Sequence, residues 1–283
     1  MEKRIRAQLI RMANGNGKEK EKRRLAERRT RRATAFAASG HSEAAIREYQ
    51  RALRLDEGQT EARLGLAATY CMQDRPREAL TVYQEALRRS PRNGEGHLGM
   101  AELMVSLGRP AVAMRHLLQA VACDANRAYL RYRLGQLHLQ SGAHARAREY
   151  LQQAVALAPW DDFYHFKLGE AHFGCGAYSA AAEEYEAAVA CRRLDDLYHV
   201  RLAATYLHLG RRSAALRSLR RAIEIAPRNR VYRHLLGDLL AAQGREAEAQ
   251  EQYESAGALG SYDRDSLRRT RARFPADAIA ASP

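Results

Sequence analysis

The sequence has few residues that would crosslink a chain or carry it across a membrane. Its only cysteines, Cys71, Cys123, Cys175 and Cys191, lie far apart without the spacing of a zinc site, so we expect buried or partly buried free thiols of a reducing compartment. No segment approaches the roughly 18 consecutive apolar residues that span a bilayer, and the first residues are charged. These absences exclude a disulfide framework and a transmembrane helix, and they predict a soluble, cytoplasmic protein.

Aromatic residues are also scarce. They make up 7% of the 283 residues and include a single tryptophan, although 46% of the chain is hydrophobic. Alanine supplies much of the remaining hydrophobic content, and it recurs with a period of 34 residues in two columns. The columns are Ala45, Ala79, Ala113, Ala147, Ala181, Ala215 and Ala249, and Ala52, Ala86, Ala120, Ala154, Ala188, Ala222 and Ala256. Such a period predicts a stack of one repeated unit, each burying its apolar face against its neighbours.

Other positions follow the same period. A small residue precedes the first alanine column in every unit, and a turn residue lies between them, glycine in six units and Asp74 in the other. Large side chains such as Tyr49, Tyr83 and Tyr185 stand at helical spacing from the small ones. Each unit is therefore predicted to be two helices joined by a short turn.

These small, aromatic, glycine, alanine and proline positions make the chain resemble a tetratricopeptide repeat protein. The resemblance covers residues 26–263 without insertion or deletion. It implies an all-α, right-handed superhelical solenoid of seven helix-turn-helix repeats: 26–59, 60–93, 94–127, 128–161, 162–195, 196–229 and 230–263. Residues 1–25 are then a basic N-terminal extension. Residues 264–283 are a polar capping helix and tail that shields the last apolar face from water.

The resemblance also implies a binding face, because the first helix of each repeat lines a concave groove in this family. Carried onto the fourth, fifth and sixth repeats, its groove positions form an aromatic and aliphatic strip. They are Tyr129, Tyr132, Gln136, Leu139, Phe163, Phe166, Glu170, Phe173, Leu197, Val200, Leu207 and His208. This strip predicts a site for one or more partner proteins, bound as an extended peptide or an amphipathic helix. The alternative is that some of these rings pack between repeats.

The formal net charge of +14 is concentrated at the ends of the chain. The sequence Asn14-Gly15-Asn16-Gly17 favours a turn and is expected to interrupt any helix in the N-terminal extension. Its cations are expected to contact an anionic membrane surface or nucleic acid, and otherwise form a solubilising cap. They are Lys3, Arg4, Arg6, Arg11, Lys18, Lys20, Lys22, Arg23 and Arg24.

The fifth repeat is acidic, since Lys167 is the only Lys or Arg between residues 150 and 190. Its acidic residues are Asp161, Asp162, Glu170, Glu183, Glu184 and Glu186. Three interpretations are open: a site for a basic partner, a site for the protein's own basic tail, or a solvated helix face. The solvated face is the simplest of them.

Two patterns in the sequence resemble a cofactor site or a metal site, but their context favours neither. The glycines from Gly94 to Gly99 fit a dinucleotide-binding pattern, yet they follow a predicted helix rather than a strand. His138, His172 and Cys175 suggest a metal site, but the two histidines occupy a core column and no further ligand is assured. We therefore expect no catalytic residues, no metal and no cofactor. The sequence predicts a non-catalytic scaffold, adaptor or complex-assembly factor, peripheral at a membrane or larger assembly; the alternative is a nucleic-acid-associated regulator that uses its basic N-terminal arm.

Overall fold

A computed structural model describes residues 2–259 and 264–276, with side chains from residue 17 onward. All regular structure in these ranges is α-helical. The helices are α1 (Glu2–Ala38), α2 (Ser42–Leu55), α3 (Thr60–Met72), α4 (Pro76–Arg89), α5 (Gly94–Ser106), α6 (Pro110–Cys123), α7 (Ala128–Gln140), α8 (His144–Leu157), α9 (Asp162–Gly174), α10 (Tyr178–Cys191), α11 (Asp196–His208), α12 (Arg212–Ile225), α13 (Arg230–Ala241), α14 (Glu246–Ala258) and α15 (Arg264–Arg271).

The helices pack as consecutive pairs, from α1 with α2 to α13 with α14. Both alanine columns lie on the second helix of each pair, and every alanine in them is at most 2% exposed. Methyl-sized side chains at these positions let helix backbones approach closely while each helix keeps high intrinsic propensity. The predicted all-α fold of tandem helical hairpins is confirmed.

Glycine or aspartate closes the turn inside each pair, as the period predicts. Gly40, Gly108, Gly142, Gly176, Gly210 and Gly244 have φ between 68° and 78°, and Asp74 has a φ of 54°. Gly169 serves a different purpose, since a Cβ there would lie 2.6 Å from the ring of Tyr185. The absent side chain makes room for a fully buried tyrosine from the paired helix.

Two compact units make up the chain, residues 1–126 and residues 127–283. The first contains the helix pairs from α1 to α6, and the second contains those from α7 to α14 followed by α15. In the first unit, buried Glu48 on α2 accepts hydrogen bonds from Arg29 on α1 (2.9 Å) and from Arg51 (2.6 Å). In the second unit, three buried clusters follow one another between successive helix pairs.

Two expectations are wrong. Helix α1 runs without a break from Glu2 to Ala38, so the Asn14–Gly17 sequence does not interrupt it. Two glycines cost helix stability, but the flanking Lys, Glu, Arg and Ala residues favour the helix strongly enough to continue it. The thiols are free as expected, yet Cys123, Cys175 and Cys191 are exposed and only Cys71 is partly buried. The exposed three lie in the last turn or at the C-cap of α6, α9 and α10, where packing between helices ends.

None of the helices in the described ranges is both long enough and apolar enough to cross a membrane.

Candidate functional site

The candidate site lies on the side of the second unit formed by α7, α9, α11 and α13, called here the inner face. Four residues of the predicted strip are buried in it: Tyr132 (7% exposed), Phe166 (3%), Val200 (0%) and Leu207 (6%). Phe166 stacks on Tyr198 with ring centroids 4.8 Å apart, and Tyr132 stacks on Tyr164 at 5.3 Å. These rings join neighbouring repeats, so truncating them would damage the core as well as any binding surface.

The rest of the strip reaches solvent. Phe163 and Leu197 are 40% and 39% exposed, and the remaining members are partly buried. Between α7 and α9 lies a cavity of about 410 Å³, whose lining includes Gln136, Leu139 and Phe173. The inner face therefore combines exposed apolar side chains with a cavity lined by both polar and apolar residues.

Lys167 places a positive charge at this cavity. Its ammonium lies 5.1 Å from the ring centroid of Phe163 and 5.2 Å from that of Phe166, within cation–π range. Burial lowers the pKa of Lys167, and the nearby cations Arg201 and Arg273 lower it further against the attraction of Glu170. Lys167 thus borders the apolar patch with a partly desolvated charge.

Glu170 is the centre of a polar network beside the cavity. The Tyr185 hydroxyl donates to its Oε1 at 2.9 Å, and Arg201 Nε lies 3.0 Å from the same oxygen. Burial, the charge of Glu170 and this hydrogen bond together raise the pKa of Tyr185 well above its ordinary value. The carboxylate is therefore held in a fixed orientation, facing the inner side of the unit.

The third partner of Glu170 comes from the end of the chain. Arg273 donates from both terminal nitrogens, one to each carboxylate oxygen, at 2.9 Å and 2.9 Å, across 103 residues of sequence. Its own backbone carbonyl accepts a hydrogen bond from His208 Nε2 at 3.1 Å. A bidentate arginine–carboxylate pair of this kind fixes both distance and direction.

Residues 264–276, called here the C-terminal segment, contact the inner face at several points. Arg271 binds the fully buried carboxylate of Asp238 on α13, with its Nε 2.7 Å from Oδ2. Leu267 and Phe274 are 7% and 5% exposed and belong to the same buried cluster as residues of α11 and α13. The predicted capping helix is confirmed as α15, which packs against α13. The residues after it contact α11 and α9 and cover part of the inner face.

The acidic residues of the fifth repeat have several partners. Asp162 accepts a hydrogen bond from the Tyr198 hydroxyl at 2.6 Å, and Glu184 lies 2.7 Å from His165 Nδ1. Of these six acidic residues, Glu170 pairs with the protein's own basic tail, through Arg273. Of the three interpretations, binding of the tail therefore holds for this one carboxylate, while Glu183 is solvent-exposed.

The basic N-terminal arm is described only in part. Lys18, Lys20, Lys22, Arg23 and Arg24 are exposed on α1, and Lys22 pairs with Glu19 at 3.0 Å. The side chains of Lys3, Arg4, Arg6 and Arg11 lie outside the described residues. The visible cations form a solvated surface on one helix, available to an anionic partner.

No group of three or more His, Cys, Asp or Glu side chains could hold a metal ion in the part of the chain that the structure describes. His138 stacks on Tyr150, with centroids 5.5 Å apart and ring planes 6° apart. His138 and His172 are both buried. Their positions are those of core side chains.

Comparison with known proteins gives family and fold. Tetratricopeptide repeat family models match residues 30–94, 72–137, 132–196 and 198–229. No curated protein matches the sequence. The C-terminal part of a TPR repeat-containing protein from Cytophaga hutchinsonii is similar in structure, with a TM-score of 0.73 and 13% identity over 84% of this chain and 98% of that one.

Two further solved structures have the same fold. Pseudomonas aeruginosa pilF has a TM-score of 0.64 at 18% identity, covering 73% of this chain and 94% of its own. YrrB, described as a TPR protein with an unusual peptide-binding site, has a TM-score of 0.60 at 21% identity, covering 66% of this chain and 96% of its own. At these identities the likeness concerns fold alone. The sequence matches span most of the chain, and the protein belongs to the tetratricopeptide repeat family.

Proposed function

We propose that the protein is a non-catalytic scaffold that binds a partner polypeptide on the inner face of its second unit. The observation that carries this proposal is the exposure of Phe163 and Leu197 on the inner face, together with the cavity of about 410 Å³ between α7 and α9. An apolar surface with a few directed polar groups suits an extended peptide or one side of an amphipathic helix. YrrB, which shares the fold, is described as having a peptide-binding site.

The arrangement of polar groups supports binding rather than chemistry. Glu170, Lys167 and Arg201 engage one another and the neighbouring rings. A general acid or base must lie within hydrogen-bond reach of the proton that it transfers, whereas Glu170 and Arg201 are engaged in an ion pair and Lys167 in cation–π contacts. The inner face would therefore recognise a partner through several modest contacts from successive repeats.

The test compares two double variants with the wild type. Phe163→Ala with Leu197→Ala removes exposed apolar area from the inner face and keeps the buried rings of Tyr132 and Phe166, whose centroids lie 5.4 Å and 6.4 Å from that of Phe163. Trp160→Ala with Leu194→Ala removes a larger exposed apolar area from the turns between repeats, where these side chains are 74% and 72% exposed. Tagged proteins are used to capture partners from extract of the native cells, and bound proteins are identified by mass spectrometry.

We expect a partner that the wild type and the turn variant both retain and that the inner-face variant loses by at least about tenfold, since central apolar contacts dominate most interfaces. Circular dichroism checks that all three proteins are equally helical. Retention of every partner by the inner-face variant, or loss only in the turn variant, would reject this site.

A second candidate function is attachment to an anionic surface through α1. The exposure of all five described cations from Lys18 to Arg24 favours it, because such a cluster neutralises phosphates without further structure. Replacing these five residues with Gln should weaken salt-sensitive binding to phosphatidylserine vesicles or to duplex nucleic acid. Flotation with vesicles and gel shift with nucleic acid separate the two ligands. Unchanged binding to both at low salt contradicts the attachment function.

A further inference from the structure

The C-terminal segment occupies the inner face in the manner of a bound peptide. Its contacts are of the three kinds that anchor peptides: two arginines on carboxylates, one buried aromatic ring, and one backbone carbonyl that accepts a hydrogen bond. Arg271 pairs with Asp238 and Arg273 pairs with Glu170. Phe274 packs in the apolar cluster of α11 and α13. The Arg273 guanidinium carbon also lies 5.9 Å from the ring centroid of Phe173.

The two carboxylates that accept these arginines, Asp238 and Glu170, also have partners outside the C-terminal segment. Glu170 is oriented by Tyr185 and Arg201, and the Tyr253 hydroxyl donates to Asp238 Oδ1 at 2.9 Å. Buried carboxylates favour a cationic partner strongly, because a desolvated negative charge is costly without one. Arg271 ends α15 and Arg273 follows two residues later, so arginines two residues apart contact both carboxylates.

The cavity of about 410 Å³ adjoins the C-terminal segment at Arg273. Arg273 forms part of its lining, together with Gln136, Lys167 and Phe173. A longer polypeptide following the same path would therefore leave α11 and α13 and continue over α9 and α7. The segment covers one part of the inner face, and the cavity lies next to that part.

We infer that the C-terminal segment is a displaceable internal ligand, and that the partner bound on the inner face is a basic peptide carrying the pattern Arg-x-Arg-aromatic. This inference deepens the proposed function and rests on it. The partner's two arginines replace Arg271 and Arg273 on Asp238 and Glu170, its ring replaces Phe274, and its preceding or following residues enter the cavity. Displacement of the segment therefore sets the affinity for the partner.

The probe is a fluorescent peptide with the sequence of residues 264–276, measured by fluorescence anisotropy against the full chain. In the wild type the tethered copy competes at an effective concentration in the millimolar range. The variant Arg271→Ala/Arg273→Ala/Phe274→Ala weakens that competitor and leaves the acceptors in place. We expect the variant to bind the peptide on the order of tenfold more tightly than the wild type, because a larger fraction of its molecules is open.

Matched controls isolate the contacts. Arg264→Ala with Arg268→Ala removes two exposed cations from α15 and should leave the affinity of the wild type unchanged. Glu170→Gln added to the triple variant should abolish the gain. A peptide with the same three alanine substitutions should bind neither protein. Increasing salt should weaken the specific binding, since two of its anchors are ionic.

A second measurement on the wild type does not depend on any variant folding. Hydrogen exchange should show the amides of residues 266–274 opening well before those of α13, as expected for a displaceable segment. Exchange of the two together in one cooperative step would show that the segment is a fixed part of the core, and would overturn the inference. Failure of the triple variant to bind the peptide overturns it too.

Two outcomes separate this inference from the proposed function. If the peptide fails to bind while Phe163→Ala/Leu197→Ala still loses its captured partner, the inner face is a binding site and only the internal-ligand inference falls. If light scattering shows a wild-type dimer that the triple variant cannot form, the occupant is the segment of a second copy, and the assignment to an external basic peptide is wrong.

Discussion

At the scale of single residues, backbone conformation decides which amino acid each turn accepts. Gly142 has a φ of 74° with no atom within 4 Å of a built Cβ, so Gly142→Ala adds strain without a clash. We expect a loss of about 1 kcal/mol in the free energy of unfolding, because left-handed strain exceeds the entropic gain from removing a glycine. Gly257 in α14 has equal space but helical surroundings, and Gly257→Ala should gain about 1 kcal/mol. Urea titrations that show the same sign for both variants would contradict this account.

Glu48 shows how one buried carboxylate links two helices. Burial alone would raise its pKa, but hydrogen bonds from Arg51 and Arg29 outweigh that effect, and the pKa of Glu48 is lowered. A lowered carboxylate pKa contributes stability above the unfolded-state value, near 4.3, and that contribution is lost as the pH falls through the folded-state value.

We expect Glu48→Gln to cost about 1–2 kcal/mol at neutral pH, since it removes charge from hydrogen bonds whose arginines are partly exposed. The difference from the wild type should shrink as the pH falls below the unfolded-state value toward the lowered folded-state pKa of Glu48. Chemical denaturation at pH 7 and pH 3.5 measures both values. Glu27→Gln, at an exposed position of α1, should change stability by less than about 0.5 kcal/mol.

At the scale of helices, the period of the sequence predicts the hairpins and their turns. The residue types within each repeat are enough to specify both. Asp74 in place of the usual glycine still adopts the left-handed turn that its column requires. The continuity of α1 could not be predicted, because turn propensity at Asn14–Gly17 competes with helix propensity on both sides and the balance is close.

The candidate site could be predicted only in outline. Family positions locate the inner face, but they do not distinguish exposed Phe163 from buried Phe166, since that depends on the rings of the neighbouring repeat. The contact of Arg273 with Glu170 joins residues 103 positions apart. Nothing local in either segment specifies that pairing, because a basic tail can contact any of several acidic residues.

Helix α1 offers a test of the competition between turn propensity and helix propensity at Asn14–Gly17. Gly17 has no atom within 4 Å of a built Cβ, so Gly17→Ala changes helix propensity alone. We expect this change to stabilise the N-terminal turns of α1 by about 1 kcal/mol, because glycine is that much less favourable than alanine inside a helix. Hydrogen exchange of amides 10–24 should slow by about fivefold, while exchange in α2 stays the same. Unchanged exchange before residue 24 would indicate that these turns are already fully formed or not helical in solution.

At the scale of the whole chain, buried and partly buried histidines should make stability depend on pH in a defined range. Burial is the first cause that lowers the pKa of His116 in the first unit and of His138, His172, His199 and His234 in the second. A lowered histidine pKa means that the folded state resists protonation, while the unfolded chain takes up protons near pH 6.5. Stability is therefore constant above about pH 7.5 and falls as the pH drops through 6.5 toward the folded-state values.

Thermal unfolding followed by circular dichroism between pH 8 and pH 5 measures this loss, in a range above that in which carboxylates such as Glu48 act. His172→Met removes one contributor while keeping an apolar side chain of similar size in the core, and its midpoint should depend less steeply on pH between 7 and 5.5 than that of the wild type. Between pH 7.5 and 8 the two slopes should agree, because histidine is neutral in both states there. A wild-type midpoint that is flat from pH 8 to 5 would mean that these imidazoles accept protons as readily in the folded chain as in water.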